Sequence, residues 1–342
     1  MPSLTPNAVT RRRLLLGGGL VMATPLAAQA MPAAAAGHES RVLMGTRIDL
    51  TVVDADPARR TAALAAAWQR MAADAARWSR FDGDSELARL AAAAGTQAVG
   101  VGRDTAELLR GARRCAEATG GCFDPTVGAY EDWHFGDGAE ARVPAAARLA
   151  AQRRHVGFEH LEIERDAPRA RLARAGMRLD LGGFAKLPVL AGGLQALQQA
   201  GVRRAMVNGG GDVLCLGQGD DPAWRIGVRD PAQPSRLRGV VALRSGVVAS
   251  SGDYERFFID AQGRRQHHIL DPRSGWPTRG LHGVTLVAEQ VEAVNGLGAA
   301  IMVGGVRRAQ SWLAGRAGVD ALAVGDDGAW FAGRMAERLA AL

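Results

Sequence analysis

Strand-like segments come in runs along this chain, and helical segments are inserted between them at irregular intervals. Residues 204–218, RAMVNGGGDVLCLGQ, form two apolar runs separated by three glycines, a pattern typical of two strands joined by a turn. Residues 58–78 and 104–119 instead carry apolar side chains at helical spacing. Runs of strands with inserted helices favour an α+β fold over a doubly wound parallel sheet. We therefore predict one catalytic unit of mixed sheets with flanking helices.

The same patterns predict further elements. We expect a strand over residues 42–54 after a turn, a helix that starts after Asp84-Ser85, a hairpin over 161–183, a helix over 184–201 and a helix over 291–304. Pro188 lies close to the start of one of these helices, and proline is tolerated in a first helical turn.

Residues 1–30 are expected to be an export signal and not a part of the fold. Three arginines, Arg11 to Arg13, precede an apolar stretch that runs to about Ala28, and Ala28-Gln29-Ala30 is a small-x-small cleavage site. The arginine pair is typical of twin-arginine signals. The alternative is an amphipathic or membrane-anchoring segment. The mature protein, residues 31–342, is then expected in the periplasm, exported by the twin-arginine machinery.

The charge of the mature chain does not indicate a nucleic-acid partner. The formal net charge of the whole chain is +7, and removal of three arginines with the signal leaves +4. The remaining arginines are dispersed and form no basic stripe interleaved with aromatic residues. We therefore expect no binding of nucleic acid.

The three cysteines, Cys115, Cys122 and Cys215, allow at most one disulfide. Cys115 and Cys122 are close enough in sequence to pair, but their separation fits no recognised metal-binding spacing. Buried free thiols are the interpretation that we favour.

Lys186 is the only lysine in a chain that otherwise uses arginine as its basic residue. It lies in one of four glycine-rich stretches that carry polar side chains. These are FDPTVGAY (123–130), LDLGGFAK (179–186), VNGGGDV (207–213) and HHILDPRSG (267–275). Glycine lets backbone N–H groups approach a ligand closely, and successive N–H groups can bind an anion. None of the four matches the P-loop or the dinucleotide-binding fingerprint.

Taken in order, these stretches resemble the ApbE family, the periplasmic FAD:protein FMN transferases, over about residues 40–305. The matching pieces are MGT (44–46), WSRFDGDSELARL (78–90), FDPTVGAY, DLGGFAK, NGGGDV, ASSGDYERFF and HHILDPRSGWP. The resemblance implies an ApbE-like, T-fold-like structure. It also implies FAD as substrate and Mg²⁺ as cofactor. FMN would be attached through a phosphoester to a threonine of an exported acceptor protein, with release of AMP.

The resemblance also implies which residues contact FAD. Met44 and Phe81 would lie against the flavin or the adenine. The other contacts would come from Thr126, Val127, Gly128, Asp180, Lys186 and His268. A lysine ammonium is a good point-charge partner for a pyrophosphate. The alternative is that Lys186 pairs with Asp180 in a structural salt bridge.

Two further carboxylates, Asp253 and Asp271, lie in the matching motifs and are candidates for catalytic roles beside His268. They could orient His268 or deprotonate the acceptor hydroxyl. Equally, they could cap turns next to Gly252 and Pro272.

The chain departs from the family at the implied metal ligands. The family has an aspartate and a threonine or serine where this chain has Asn295 and Ala299, and the third ligand is a backbone carbonyl that matches Gly183. After Lys186 the family's glycine and aspartate are also missing. Mg²⁺ usually takes at least one carboxylate, so we expect weakened or lost metal binding.

These departures leave two functions open. The first is an active FAD:protein FMN transferase. The second is a catalytically degenerate FAD-binding protein that holds or delivers flavin to a periplasmic redox partner. Retained FAD-contact motifs fit both functions, whereas the altered metal positions fit the second.

Overall fold

The computed structural model describes residues 36–135 and 141–341. The predicted export signal, residues 1–30, lies outside these ranges. Within them, no helix combines the length and the apolar character that crossing a bilayer requires.

The described chain folds into sixteen strands and eight α-helices. The strands are β1 (Ala36–Leu43), β2 (Thr46–Val53), β3 (Val99–Gly100), β4 (Leu161–Ile163), β5 (Arg169–Leu172), β6 (Arg204–Gly209), β7 (Asp212–Leu216), β8 (Trp224–Asp230), β9 (Gln233–Leu243), β10 (Gly246–Gly252), β11 (Phe257–Ile259), β12 (Arg265–His267), β13 (Leu281–Ala288), β14 (Asp320–Gly325), β15 (Gly328–Ala332) and β16 (Leu339–Ala340). The helices are α1 (Pro57–Arg77), α2 (Glu86–Ala92), α3 (Arg103–Ala118), α4 (Ala146–Arg153), α5 (Gly182–Gln199), α6 (Val291–Val294), α7 (Leu297–Ala314) and α8 (Met335–Arg338).

One eight-stranded antiparallel sheet organises the fold, in the order β1-β2-β6-β7-β10-β13-β14-β15. Helices α1, α5 and α7 pack over one face of this sheet, and a three-stranded sheet of β8, β9 and β16 covers part of the other. Alternation along the strands divides the two cores. Leu214 of β7 lies in the helix-facing core, whereas its neighbours Val213 and Cys215 face the small sheet. The predicted α+β class is confirmed.

The structure confirms several predicted elements, and each of these has a local signal in the sequence. Helix α2 begins after Ser85, whose hydroxyl accepts the N–H of Ala88 at 3.0 Å. Strands β6 and β7 are joined by Gly210 and Gly211, both with positive φ. The three cysteines are free, and Cys122 and Cys215 are buried.

Three details differ from the sequence predictions. Residues 42–54 are not one strand, because the turn lies within them at Met44-Gly45, between β1 and β2. The helix predicted over 291–304 is interrupted after α6, since Gly296 adopts a φ of 75°. Pro188 lies inside α5, beyond its first turn, and therefore has no N–H to donate to the carbonyl of Phe184.

Candidate functional site

The four glycine-rich stretches are joined by direct contacts. The N–H of Asp180 donates to the carbonyl of Pro125 at 2.8 Å, which connects LDLGGFAK to FDPTVGAY. The hydroxyl of Tyr130 donates to the carbonyl of Pro272 at 2.8 Å, which connects FDPTVGAY to HHILDPRSG. Lys186 and Asp212 connect LDLGGFAK to VNGGGDV. The four stretches, far apart in the chain, are thus joined in the fold, and their binding of FAD stays a prediction.

The site lies at the end of the large sheet that carries the β1–β2 and β6–β7 turns. A Cβ atom placed on Gly210 would lie 2.5 Å from Oγ1 of Thr46, so the two turns touch. The first turn of α7 approaches the end of β10, since a Cβ on Gly298 would lie 2.6 Å from Oγ of Ser251. Glycine is needed at both positions for this close approach.

Met44 has a strained backbone. Its φ is 53°, and it is the one non-glycine residue in the described ranges with a positive φ. The guanidinium of Arg256 donates to the carbonyls of Met44 at 3.1 Å and Gly45 at 3.3 Å. Such strain concentrates at functional positions, and Met44 is one of the residues predicted to contact FAD.

Lys186 lies in the second turn of α5, and its Nζ is 2.7 Å from Oδ2 of Asp212. The side chain of Asp212 is only 7% exposed, and its Oδ1 accepts the N–H of Ser250 at 2.8 Å. The pairing of Lys186 with Asp180, which the sequence left open, is wrong. Asp180 instead pairs with Arg80 at 2.5 Å.

The N-terminus of α5 is suited to an anion. Gly182 and Gly183 are exposed, and Leu181 at the N-cap offers no side-chain acceptor to the helix. Asp180 accepts the N–H of Gly182 at 2.8 Å. An 18-residue helix presents a partial positive charge at this end, and Lys186 adds a full charge one turn further on.

His268 is held with one ring nitrogen toward the protein. Its Nδ1 is 3.3 Å from the carbonyl of Arg256, and its backbone N–H donates to the same carbonyl at 3.1 Å. A carbonyl only accepts, so Nδ1 carries the proton in this contact and Nε2 is left as a base.

Surrounding protein desolvates the His268 imidazole and lowers its pKa to about 4, although the residue is exposed. The lowered pKa keeps the ring neutral at pH 7. The carboxylate of Asp180 opposes the shift, which places His268 within electrostatic reach of the α5 N-terminus.

The neighbouring His267 has a structural environment. It is buried, and its Nε2 is 2.9 Å from the carbonyl of Thr278, while its Nδ1 receives the N–H of Ile269 at 3.4 Å. Burial lowers the pKa of His267 as well. Of the two adjacent histidines, His268 is therefore the one available to a ligand.

Asp271 stabilises a turn. Its carboxylate accepts both the backbone N–H and the guanidinium of Arg273, with Oδ1 2.9 Å from each donor nitrogen. Its own N–H donates to the carbonyl of Trp276 at 2.8 Å. These contacts match the turn-capping alternative, and a catalytic role for Asp271 stays a prediction.

Asp253 is buried between two basic side chains. Its Oδ1 accepts from Arg265 at 2.8 Å and its Oδ2 is 2.8 Å from Nδ1 of His282. The Nε2 atom of His282 lies 3.0 Å from Asp326. Arg265 is in β12, and His268 follows the end of that strand. Through its bond to Arg265, Asp253 therefore supports the hairpin that precedes His268. A catalytic role for Asp253 stays a prediction.

The two carboxylates raise the pKa of His282, with the hydrogen bond to Asp253 as the main cause. A raised pKa in the folded state stabilises the protein fully below the unfolded value of about 6.5, and this stability is lost as the pH rises through the folded pKa. We expect the melting temperature of the wild type to exceed that of His282→Gln most at about pH 6 and least at about pH 9. Thermal melts of both proteins across this range test it, and a difference independent of pH would contradict it.

The remaining predicted contacts differ in accessibility. The guanidinium of Arg80 lies over one face of the Phe81 ring, 5.0 Å from its centre, and the 85% exposure of Phe81 leaves the other face accessible to a planar ligand. Thr126 is buried, and its hydroxyl donates to Asp124 at 2.6 Å and accepts the N–H of Gly157 at 2.8 Å. Both hydrogen bonds of the Thr126 hydroxyl are thus made within the protein.

Val127 and Gly128 pack against the backbone of residues 178 and 179. Val127 forms a β-bridge with Arg178, and a Cβ atom placed on Gly128 would lie 2.6 Å from the backbone of Leu179.

A family model described as the ApbE family matches residues 44–323 of this chain.

The chain belongs to the ApbE family.

Similar proteins and structures agree with this assignment. The FAD:protein FMN transferase of Treponema pallidum is 36% identical over 260 residues, which are 71% of this chain and 72% of that protein. That of Rhodobacter capsulatus is 32% identical over 95% of this chain, and the match spans 62% of its own length. The crystal structure of the ApbE protein from Thermotoga maritima superposes with a TM-score of 0.81 at 30% identity, covering 89% of this chain and 99% of that one. The flavin transferase ApbE from Vibrio cholerae gives 0.75 at 27% identity, with the same coverage.

The residues at the implied ApbE metal positions do not suit Mg²⁺. Asn295 supplies one neutral oxygen, Ala299 supplies no side-chain oxygen, and Gly183 supplies a backbone carbonyl. In the part of the chain that the structure describes, no three His, Cys, Asp or Glu side chains form a group that could hold a metal ion. The chemistry of Asn295 and Ala299 therefore does not fit a Mg²⁺ site.

Sequence reasoning missed three basic residues of this ApbE site. Arg80 pairs with Asp180, Arg256 secures the Met44-Gly45 turn, and Arg265 pairs with Asp253. Arg80 and Arg256 lie inside the matching stretches WSRFDGDSELARL and ASSGDYERFF, so their position was a usable signal. Arg265 lies two residues before HHILDPRSG and carried none.

Proposed function

We propose that this ApbE protein transfers FMN from FAD to a threonine hydroxyl of an exported protein, with release of AMP, in the periplasm after twin-arginine export. The observation that carries the proposal is the union of the four motifs at one site. It combines the α5 N-terminus, Lys186 and a neutral His268 with an open Nε2. The periplasmic location rests on the signal-like sequence of residues 1–30.

The proposed reaction exchanges one phosphoryl bond for another. The threonine oxygen bonds to the FMN phosphorus, and the bond from that phosphorus to the bridging oxygen of the pyrophosphate breaks. AMP leaves with the bridging oxygen. The hydroxyl proton passes to Nε2 of His268, which is unprotonated at neutral pH.

The other groups of the site support this step through charge and position. Phosphoryl transfer depends mainly on alignment and on stabilisation of charge on the phosphate oxygens. Lys186 and the open N–H of Gly183 at the start of α5 are suited to those oxygens. The guanidinium of Arg256 holds the β1–β2 turn, and the backbone carbonyl of Arg256 orients His268. Phe81 is suited to stacking on the flavin or adenine ring.

A second function has one observation in its favour. The absence of a carboxylate at position 295 is consistent with a flavin-binding protein that does no chemistry and delivers flavin to a periplasmic redox partner. Such a protein would keep the nucleotide contacts and need no activated hydroxyl.

One assay separates the two functions. The mature chain, residues 31–342, freed of flavin, is incubated with FAD and an ApbE-type acceptor domain that contains one target threonine. We expect one FMN per acceptor by mass and an equal amount of AMP, with neither product when that threonine is replaced by valine. FAD binding without either product would support the flavin-delivery function, and no FAD binding would overturn both.

A further inference from the structure

We propose that this protein holds the FAD phosphates with its own cations, without a resident divalent metal ion. The inference rests on the proposed function, because it concerns how the same site binds FAD. It departs from the metal dependence that the ApbE resemblance implies.

The first argument is the chemistry of Asn295. This residue is 8% exposed, and its Oδ1 is buried without a hydrogen-bond partner among the described residues. Mg²⁺ is held by hard oxygen ligands in octahedral geometry, with one or two carboxylates in most sites. One neutral amide oxygen beside Ala299 does not meet this requirement. Instead, Oδ1 is an acceptor without a donor, which suits a hydroxyl or amino group of a nucleotide.

The second argument is electrostatic. An aspartate at position 295 without a metal ion would bring a negative charge next to the pyrophosphate, and like charges at short range repel in a partly buried site. Asparagine removes that repulsion. Asn295 and Ala299 therefore leave these two positions without a negative charge that would oppose the binding of phosphate.

The third argument is that the protein supplies positive charge in the metal's place. Arg256 is exposed at the site and forms no ion pair with a carboxylate in residues 36–135 and 141–341. Within these ranges its guanidinium hydrogen-bonds only to the carbonyls of Met44 and Gly45. Lys186 is shared with Asp212, and the N-terminus of α5 adds partial positive charge. These groups can bind phosphate oxygens directly.

The test measures FAD affinity, which does not depend on turnover. Mature wild-type protein is titrated with FAD, followed by flavin fluorescence, in EDTA and in millimolar Mg²⁺. We expect dissociation constants that agree within about twofold. For Asn295→Asp, we expect FAD affinity in EDTA to fall by about tenfold or more, because the new carboxylate repels the phosphates. In Asn295→Asp combined with Ala299→Thr, Mg²⁺ is expected to restore affinity. Gln290→Glu adds a negative charge on a nearby exposed residue and is the matched control.

A second measurement uses the wild type alone and so does not depend on the variants folding. Mn²⁺ binding to the FAD-loaded protein is followed by electron paramagnetic resonance. We expect no saturable site beyond the binding of Mn²⁺ to free FAD.

A severalfold loss of wild-type FAD affinity in EDTA, recovered with Mg²⁺, or a saturable Mn²⁺ site overturns the metal-free inference and leaves the transferase function standing. Absence of FAD binding under both conditions overturns the proposed function, and this inference with it.

Discussion

Replacement of His268 by glutamine is expected to lower the rate of FMN transfer by about 10²- to 10⁴-fold, the usual contribution of a general base. Glutamine keeps a polar group near the Arg256 carbonyl but cannot accept the hydroxyl proton. FAD affinity is expected to change little, because the phosphate contacts of Lys186 and α5 remain. The loss should therefore appear in kcat and not in the dissociation constant of FAD.

The pH dependence of the wild-type rate is an independent test of the protonation state of His268. Because desolvation lowers its pKa to about 4, the base stays unprotonated well below the ordinary imidazole value. We expect kcat/KM for the acceptor to hold its plateau as the pH falls through about 6.5, the usual pKa of histidine.

Rapid-quench measurement of acceptor-bound FMN across this range tests both statements. His38→Gln, an exposed histidine on β1, is the matched control and should behave as the wild type. Full activity in His268→Gln would contradict the assignment of His268 as the base, whereas an acid limb centred near 6.5 in the wild type would contradict the lowered pKa of His268.

The sequence predicts the site well where the signal is local. Ser85 before an apolar run predicts the start of α2, and the glycines at 210 and 211 predict a hairpin turn. These residues determine the backbone beside themselves. The resemblance to the ApbE family, and not a local pattern, implies that His268 and Lys186 contact FAD, and these roles stay predictions.

The partners of these residues depend on tertiary packing and could not be predicted. Asp180 is six residues from Lys186, and sequence proximity suggested that pair. In the structure Lys186 forms its ion pair with Asp212 instead. Helix α5 packs against β6 and β7, and this packing directs Lys186 toward the start of β7. Asp180, located before the helix, turns toward Arg80. Proximity along the chain is a weak guide to ion-pair partners where a helix begins, because the direction in which side chains point changes within one or two residues.

The roles of Asp253 and Asp271 show the same limit. Both are aspartates next to a turn residue, so their roles cannot be distinguished from the sequence. In the fold, Asp271 bonds within its own turn to Arg273. Asp253 instead reaches Arg265 and His282, which are 12 and 29 residues away in the chain. The pairing of β10 with β13 brings His282 beside Asp253, whereas Arg265 comes from the separate hairpin of β11 and β12.

Replacement of Lys186 by alanine is expected to have the largest effect on FAD binding of any single change in the site. A charged hydrogen bond contributes about 1.5–3 kcal/mol, so the dissociation constant for FAD should rise about 10- to 100-fold. The substitution also leaves the carboxylate of Asp212, which is only 7% exposed, without its cation. Unfolding free energy should fall by up to about 3 kcal/mol, since an unpaired buried charge is costly and the partial exposure of Lys186 moderates the loss.

A double-mutant cycle separates these two effects. Asp212→Asn keeps the shape of residue 212 and its acceptor for the N–H of Ser250, but removes the charge. Combined with Lys186→Ala, it should recover most of the lost stability, because no uncompensated carboxylate remains. It should recover only a part of the FAD affinity, because it also removes a repulsive charge near the phosphates but cannot replace the ammonium. Urea unfolding and FAD titration of the four proteins provide the measurement. If the double variant bound FAD as tightly as the wild type, Lys186 would serve only to neutralise Asp212. Weak FAD binding by a stable double variant would instead assign the one lysine of this chain to the phosphates.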